Sequence, residues 1–493
     1  MQNDTLFNHL ELAFSTPRSY LHPFTLVASL NSDSLSIRYI GKSKMSSSAA
    51  TRFECADVDP SVLGQPLQFT FSGRSAPNRF LKGAMSERLA SFSYNNVSAR
   101  GIPSPTLIQA YKGWGESQIG INLTGNVMID AGHLEAAGNP VIPRDAEFSG
   151  ERFERFKELA TAGKENGMLI IAQVGHPGRQ TPQYLQPNPI SASDVQVQGE
   201  PMGMKFAKPR AATHEDIANI IDGFAHAAEY LDKAGFDGIE LHGAHGYLLS
   251  QFLSSTTNLR TDQYGGQLKN RMRLILEVRD EIAKRVRKDF VVGIKINSVE
   301  FQEKGFQPDD AKELCRALEE HSFDFVELSG GTYEKSPFAE QKRPSTIERE
   351  SLFLDFARLI VPGLTKTKTY VTGGFKTVEA MVKALETVDG IGLGRPLCQE
   401  PNLCAHILSG KVKGAIDQKI DMYNFGATAG AAGVQIQQMG NHLQPIDLSQ
   451  EDNVGKLFAA LGPWLAARQK DVELYRSPAI ADYVVPYSKA TML

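Results

Sequence analysis

The feature that most restricts this chain is an eightfold alternation of two kinds of segment. After Pro60, short apolar runs rich in β-branched residues recur at Arg79–Ala84, Ile119–Leu123, Met168–Gln173, Gly238–Leu241, Phe290–Ile296, Phe325–Leu328, Thr369–Thr372 and Gly390–Leu393. Amphipathic stretches lie between them, among them Arg152–Ala162, His214–Ala234, Leu268–Val286, Pro308–His321 and Val378–Glu386. A strand that is apolar on both faces belongs to a parallel sheet covered by helices. Eight such units joined by right-handed crossovers close on themselves as a (β/α)8 TIM barrel, an α/β fold. An open doubly wound sheet is the alternative, but no Gly-x-Gly-x-x-Gly follows a first strand. The expected organisation is an N-terminal extension over 1–60, a barrel over 61–410, and a C-terminal extension over 411–493. That last segment should be helical around Lys456–Gln469 and pack on the barrel.

Composition narrows the class further. The 493 residues are 41% hydrophobic and 22% charged, enough for a large core. The net charge is −4, and no lysine/arginine run suggests nucleic acid or an anionic membrane as partner. No apolar stretch is long enough to span a bilayer. Cys55, Cys315, Cys398 and Cys404 lack a Cys-x-x-Cys spacing, which argues against a bound metal or a disulfide framework and fits a reducing, cytoplasmic setting. Residues 1–44 carry Arg18, Arg38, Lys42 and Lys44 beside Asp4, Glu11 and Asp33, without the continuous apolar region of a secretory signal. They read as a poorly ordered extension ahead of a second plausible start at Met45; an organellar targeting segment stays open, as does homo-oligomerisation.

The chemistry concentrates in Asp237–Arg271, DGIELHGAHGYLLSQFLSSTTNLRTDQYGGQLKNR. A buried strand ends there at His242, His245 and Tyr247. Two imidazoles can donate N–H groups to one oxygen, and a phenol can supply a proton nearby. Any one of these is more often a satisfied core residue; three at one strand end point to a site. The block resembles the hallmark of the old yellow enzyme family of NAD(P)H:flavin oxidoreductases, in which His-x-x-His (or His-x-x-Asn) precedes Gly-Tyr-Leu. The following Asn258, Arg260, Thr261, Asp262, Tyr264, Gly265 and Gly266 match its Asn-x-Arg-Thr-Asp-x-Tyr-Gly-Gly. Weaker matches run from about Leu63 to about Pro401. Some larger relatives carry a cysteine-ligated cluster after the barrel; Cys404 alone follows Pro401 here.

The resemblance implies non-covalent FMN at the C-terminal ends of the strands, where barrel active sites form. Ala84, Met85 and Ser86 end strand one, with Ser86 near the flavin C4 carbonyl where the family commonly has Thr or Cys. Gly125 ends strand two and lets backbone lie against a planar ring. Gln173 offers the donor and acceptor that a pyrimidine edge requires. His176 and Arg179 follow, either lining the mouth or bracing the loop, and the insert Gln180–Lys208 is a candidate lid. Lys295 sits among aliphatics on strand five, where the family often has arginine. An ammonium there needs an anion, either the reduced flavin's N1–C2=O edge or a barrel carboxylate such as Glu240. Gly373, Gly374, Gly394 and Arg395 form the phosphate site after strands seven and eight. Strand six, ending at Ser329–Tyr333, shapes the substrate side.

The expected function is ping-pong reduction of an activated alkene, an α,β-unsaturated carbonyl or nitro compound, with hydride from NAD(P)H. His242 and His245 would bind the activating oxygen and Tyr247 would protonate the α-carbon. Two alternatives stay open: a flavin-free phosphate-binding aldolase or isomerase using Lys295 or His242, and a flavin-binding protein without turnover. The physiological alkene and the preference between NADH and NADPH are not readable from the sequence.

Overall fold

In the structure, a computed structural model that describes residues 50–300, 302, 305–334 and 352–488, the eight runs form one closed parallel barrel. The readings made for residues 1–44 lie outside the described residues. The strands are β1 (Phe80–Lys82), β2 (Ile121–Met128), β3 (Leu169–Gly175), β4 (Gly238–Gly243), β5 (Val291–Asn297), β6 (Phe325–Ser329), β7 (Lys368–Thr372) and β8 (Gly390–Leu393). Each pairs in parallel with its neighbours in sequence, and β8 closes on β1 with Ile391 opposite Phe80. Every residue of β2, β3, β4, β5, β6 and β8 is buried, which is why these strands read as continuous apolar runs.

The longer helices between them are α1 (Pro105–Gly115), α2 (Gly150–Ala162), α3 (His214–Lys233), α4 (Arg273–Ala283), α5 (Pro308–Glu320), α6 (Leu352–Ile360) and α7 (Val378–Ala384). Their starts carry local chemistry. Ser104 caps α1 by accepting from Leu107 N, with Pro105 at the first helical position; Thr213 and Asp216 form a reciprocal capping box on α3.

Two features direct the site to one end of the barrel. The N-terminal end is plugged: a hairpin pairing Leu67–Gln68 with Ser75–Ala76 packs Leu67, Phe69 and Ala76 against Leu81, Ile121, Leu169, Val291, Phe325 and Tyr370. At the other end, β2 is longer than its apolar run. A register shift between Leu123 and Asn126 bulges the strand, and Asn126 then pairs opposite Gln173. After the barrel come α8 (Phe425–Gly440) and α9 (Glu451–Arg468). A methyl group at Gly113 of α1 would meet Met439 Sδ of α8 at 2.8 Å, so the two helices approach at small residues. Gln399 ties the same segment to β8's loop, accepting from Gln435 Nε2 at 3.0 Å and Gln418 Nε2 at 2.6 Å.

Candidate active site

The chain leaves β4 through two successive left-handed residues, His245 (φ 58°) and Gly246 (φ 76°). Histidine is among the few non-glycine residues found there, and Asn297 Oδ1 holds this one by accepting from His245 N at 3.1 Å. Gly246 admits no side chain, since a methyl group would meet Gln180 Oε1 at 2.6 Å. The turn swings Tyr247 back over the strand end, its ring centroid 4.3 Å from that of His242.

The two imidazoles lie edge to face and form the middle of a relay. Asn126 Nδ2 contacts Ser86 Oγ at 3.4 Å, so its amide oxygen faces His242 Nδ1 at 2.7 Å and accepts a hydrogen bond from its N–H. His242 Nε2 therefore accepts, taking the N–H of His245 Nδ1 at 3.0 Å. Ser329 Oγ completes the chain at 2.9 Å from His245 Nε2. Burial, then the charges of His245 and Lys295, hold His242 well below the usual histidine range; burial and Lys295 push His245 down to about 3. Both rings are neutral donor–acceptors at physiological pH. Beside them, Tyr247 OH meets Tyr333 OH at 2.8 Å. Burial keeps the Tyr247 phenol well above its ordinary value, so it stays protonated. From the sequence, Asn126 has no assigned role, and Ser329 and Tyr333 have only the general one of shaping the substrate side.

Inside the barrel, Lys295 is paired with a carboxylate, and it is Glu327 of β6 rather than Glu240: Nζ lies 2.8 Å from Glu327 Oε1. Gln173 Nε2 donates to Glu240 Oε1 at 2.7 Å. Lys295 also stands in register beside His242, so one buried cluster connects the inner barrel to the relay. At the rim, Ser86 Oγ donates to Glu135 Oε2 at 2.9 Å. Gly125 N donates to Glu87 Oε1 at 2.8 Å, and a methyl group at Gly125 would come within 2.2 Å of the Met85 carbonyl. The close approach at Gly125 is thus to the Ala84–Met85–Ser86 turn. A Cβ added at Gly83 would meet Thr372 Cγ2 at 3.3 Å, and one at Gly394 would meet Met85 Sδ at 3.2 Å. With Gly373 (φ 142°) and Gly374 (φ 91°), these residues bring the ends of β1, β7 and β8 together without side-chain bulk. Arg395 turns to α8, where NH1 donates to Thr428 Oγ1 at 2.9 Å, and it lines a cavity of about 250 Å³ with Lys376.

Arg179 braces the loop. Its guanidinium donates to the carbonyls of Val195 and Gln196 and pairs with Glu334 at 2.6 Å. The insert thereby reaches the β6 loop, and Phe206 lies 6.2 Å from the Tyr333 ring. His176 joins Asp130 and His133 in a group whose ligand atoms lie within 4.8 Å of one another, a possible cation set that cysteine spacing does not reveal. Gly178 N donates to His176 Nδ1, however, which leaves the ring proton on Nε2 and offers that set an N–H instead of a lone pair.

His176, pushed down to about 3 by burial and by His133, and His242 are both depressed below the unfolded value of about 6.5. The unfolded chain then binds the protons, so the stability these rings confer is full above about pH 6.5 and falls as pH drops below it. Urea unfolding between pH 6 and pH 5 is expected to lose up to about 1.4 kcal/mol per pH unit for each ring, and His176→Asn should remove one ring's share.

The residues suit a flavin. Lys295 and Gln173 are buried donors for a polar ring edge, and the β1, β7 and β8 ends form a wall without side-chain bulk. Residues 78–413 match the family described as NADH:flavin oxidoreductase / NADH oxidase. The chain is 58% identical over 434 residues to the NADH-dependent flavin oxidoreductase nadA of Aspergillus parasiticus, covering 87% of this chain and 98% of that one. It is 33% identical over 351 residues to the NADH-dependent flavin oxidoreductase iccE of Talaromyces variabilis, covering 67% and 83%. Among solved structures, morphinone reductase in complex with tetrahydroNAD superposes with a TM-score of 0.57 at 23% identity, over 72% of this chain and 92% of that one, and shares the fold.

Proposed function

The chain belongs to the old yellow enzyme family of NADH:flavin oxidoreductases, and from that premise we propose that it reduces the activated C=C bond of α,β-unsaturated carbonyl or nitro compounds. It is an oxidoreductase with non-covalent FMN as cofactor and NAD(P)H as reductant. When bound, FMN supplies the two-electron chemistry, accepting hydride from NAD(P)H and returning it to the alkene.

Lys295 and Gln173 would hold the polar edge of the flavin, Ala84, Met85, Ser86 and Gly125 its rim, and Gly373, Gly374, Gly394 and Arg395 its phosphate. The protein's own contribution to the alkene is a pair of neutral N–H donors and one phenol. For both imidazoles to donate to one oxygen, the His242 and His245 nitrogens, 3.0 Å apart, part to admit it. The His242 proton moves from Nδ1 to Nε2, and the Asn126 amide turns its NH2 toward Nδ1. Each ring then stabilises the negative charge that grows on the activating oxygen as hydride arrives. Tyr247 protonates the α-carbon, and Tyr333, at 2.8 Å, is placed to hydrogen-bond the phenolate and relay a proton back.

The observation that carries this reading is the convergence of His242, His245 and Tyr247 on the end of β4, with a protonated phenol packed on a neutral imidazole. An aldolase using Lys295 as its Schiff-base amine would need that lysine free, and it is paired with Glu327. Two results test the proposal. Mass spectrometry of the denatured supernatant should find FMN, with no FAD. A panel of enones, maleimides and nitroalkenes should yield saturated products with one NAD(P)H oxidised per product; NAD(P)H oxidation without a saturated product from any of them would contradict it.

A further inference from the structure

The inner barrel holds more negative charge than the mechanism uses. Glu240 on β4 and Glu327 on β6 are both fully buried, stand on the two strands that flank β5, and lie close enough for each to bear on the other's ionisation. Two carboxylates set together in a buried site repel each other unless one carries a proton. Lys295, on the strand between them, pairs with Glu327 at 2.8 Å, and Gln173 donates to Glu240 at 2.7 Å. Neither Glu240 Oε2 nor Glu327 Oε2 receives a bond from an amide or ammonium group, and Thr372's hydroxyl faces Glu327 without a well-formed bond of its own. Among the described residues, the other charged or titratable groups near the pair are Lys82, whose charge is offset by Glu87, and the neutral His242 and His245. One ammonium thus serves two buried acids, and one proton makes the group neutral. Burial and the charge of Glu327 favour the neutral form of Glu240; burial opposes ionisation of Glu327 too, but Lys295 together with Glu240 and Thr372 keeps it ionised.

We propose that Glu240 and Glu327 form a proton reservoir for the flavin site, taking up one further proton when the flavin is reduced, with Lys295 as the positioning link. The inference rests on the assignment of Lys295 to the flavin edge made above. Hydride from NAD(P)H brings two electrons and one proton, and leaves one negative charge on the reduced ring. Lys295 then faces two anions, the ring edge and Glu327. A second proton, taken from water, neutralises Glu327, so that both acids are protonated and the site regains its charge. The reverse release accompanies reoxidation.

Proton uptake is read by the potential. For a two-electron couple a tenfold change corresponds to 29.6 mV, so uptake of one proton lowers the midpoint by about 30 mV per pH unit and uptake of two by about 59 mV. The FMN-loaded wild type is expected to fall by about 59 mV per pH unit between pH 7.5 and 8.5, and the Glu240→Gln/Glu327→Gln double variant by about 30 mV. The reduced-minus-oxidised infrared spectrum of the wild type, which needs no variant, should gain one protonated-carboxyl band and lose one carboxylate band. A wild-type slope of about 30 mV, a slope of about 59 mV without the carboxyl band, or an unchanged slope in the double variant overturns the reservoir and leaves the flavin assignment standing. Lys295→Met with wild-type FMN affinity and wild-type potential would instead remove the lysine from the flavin edge, and overturn both.

Discussion

Replacing Tyr247 by phenylalanine is expected to slow reoxidation of the reduced enzyme by an enone roughly 10²–10⁴-fold, the range of a positioned general acid, while leaving its reduction by NAD(P)H nearly unchanged. Hydride donation needs no proton from this phenol, but the enolate left by hydride addition does. The phenol suits the role because burial holds its pKa well above the ordinary value. The oxidative step should accordingly show no loss of the acid form up to pH 9. Nitroalkenes should lose less than enones, because a nitronate is stable enough to leave unprotonated. Tyr333→Phe removes only the partner at 2.8 Å and should have a smaller effect than Tyr247→Phe. Rapid mixing of each half-reaction separately checks all of these, and wild-type reoxidation by an enone in Tyr247→Phe would assign the proton to another group or to water.

His242→Ala is expected to weaken enone binding and to slow the oxidative half-reaction by about 10²–10³, the usual loss for one preorganised donor to a developing oxyanion. The substitution also takes a partner from Asn126 and from His245, so part of the loss reflects a relay cut in the middle. His245 separates the two effects. Its backbone is left-handed (φ 58°), a conformation that asparagine tolerates and alanine resists. His245→Asn keeps both an N–H donor and the turn, and should retain much more activity than His245→Ala, which loses the donor and strains the turn. Equal losses in the two would mean that position 245 contributes its imidazole and nothing of its backbone.

The barrel was legible because parallel strands buried on both faces leave apolar runs that no surface strand shows. Helices α1 and α8 were not. PTLIQAYKGWG carries two glycines, and FGATAGAAGVQIQQMG is small and apolar around most of its circumference, so neither displays a clear amphipathic stripe. In the site, His242, His245 and Tyr247 stood out because they crowd one strand end. Their partners did not, since Asn126, Ser329 and Tyr333 lie 116, 84 and 86 residues away along the chain. Only closure of the barrel brings the ends of β2 and β6 beside β4. Glu240 and Glu327 did leave a local signal: Ile239-Glu240-Leu241 and Val326-Glu327-Leu328 each set one acid inside an apolar run. Beside the lysine of Ile294-Lys295-Ile296, these acids could have been read as a single buried charge cluster. Alternation left the choice of partner for Lys295 open, whereas the β5–β6 register puts Glu327 directly opposite it.

The most direct test of the account is an anaerobic double-mixing experiment. The FMN-loaded protein is first reduced with one equivalent of NADH and then mixed with an enone in the absence of oxygen. Flavin absorbance is expected to bleach on the first mix and return on the second, with one saturated ketone formed per flavin and none when NADH is omitted. A flavin that NADH bleaches but that only oxygen, and no enone, maleimide or nitroalkene, restores would contradict it.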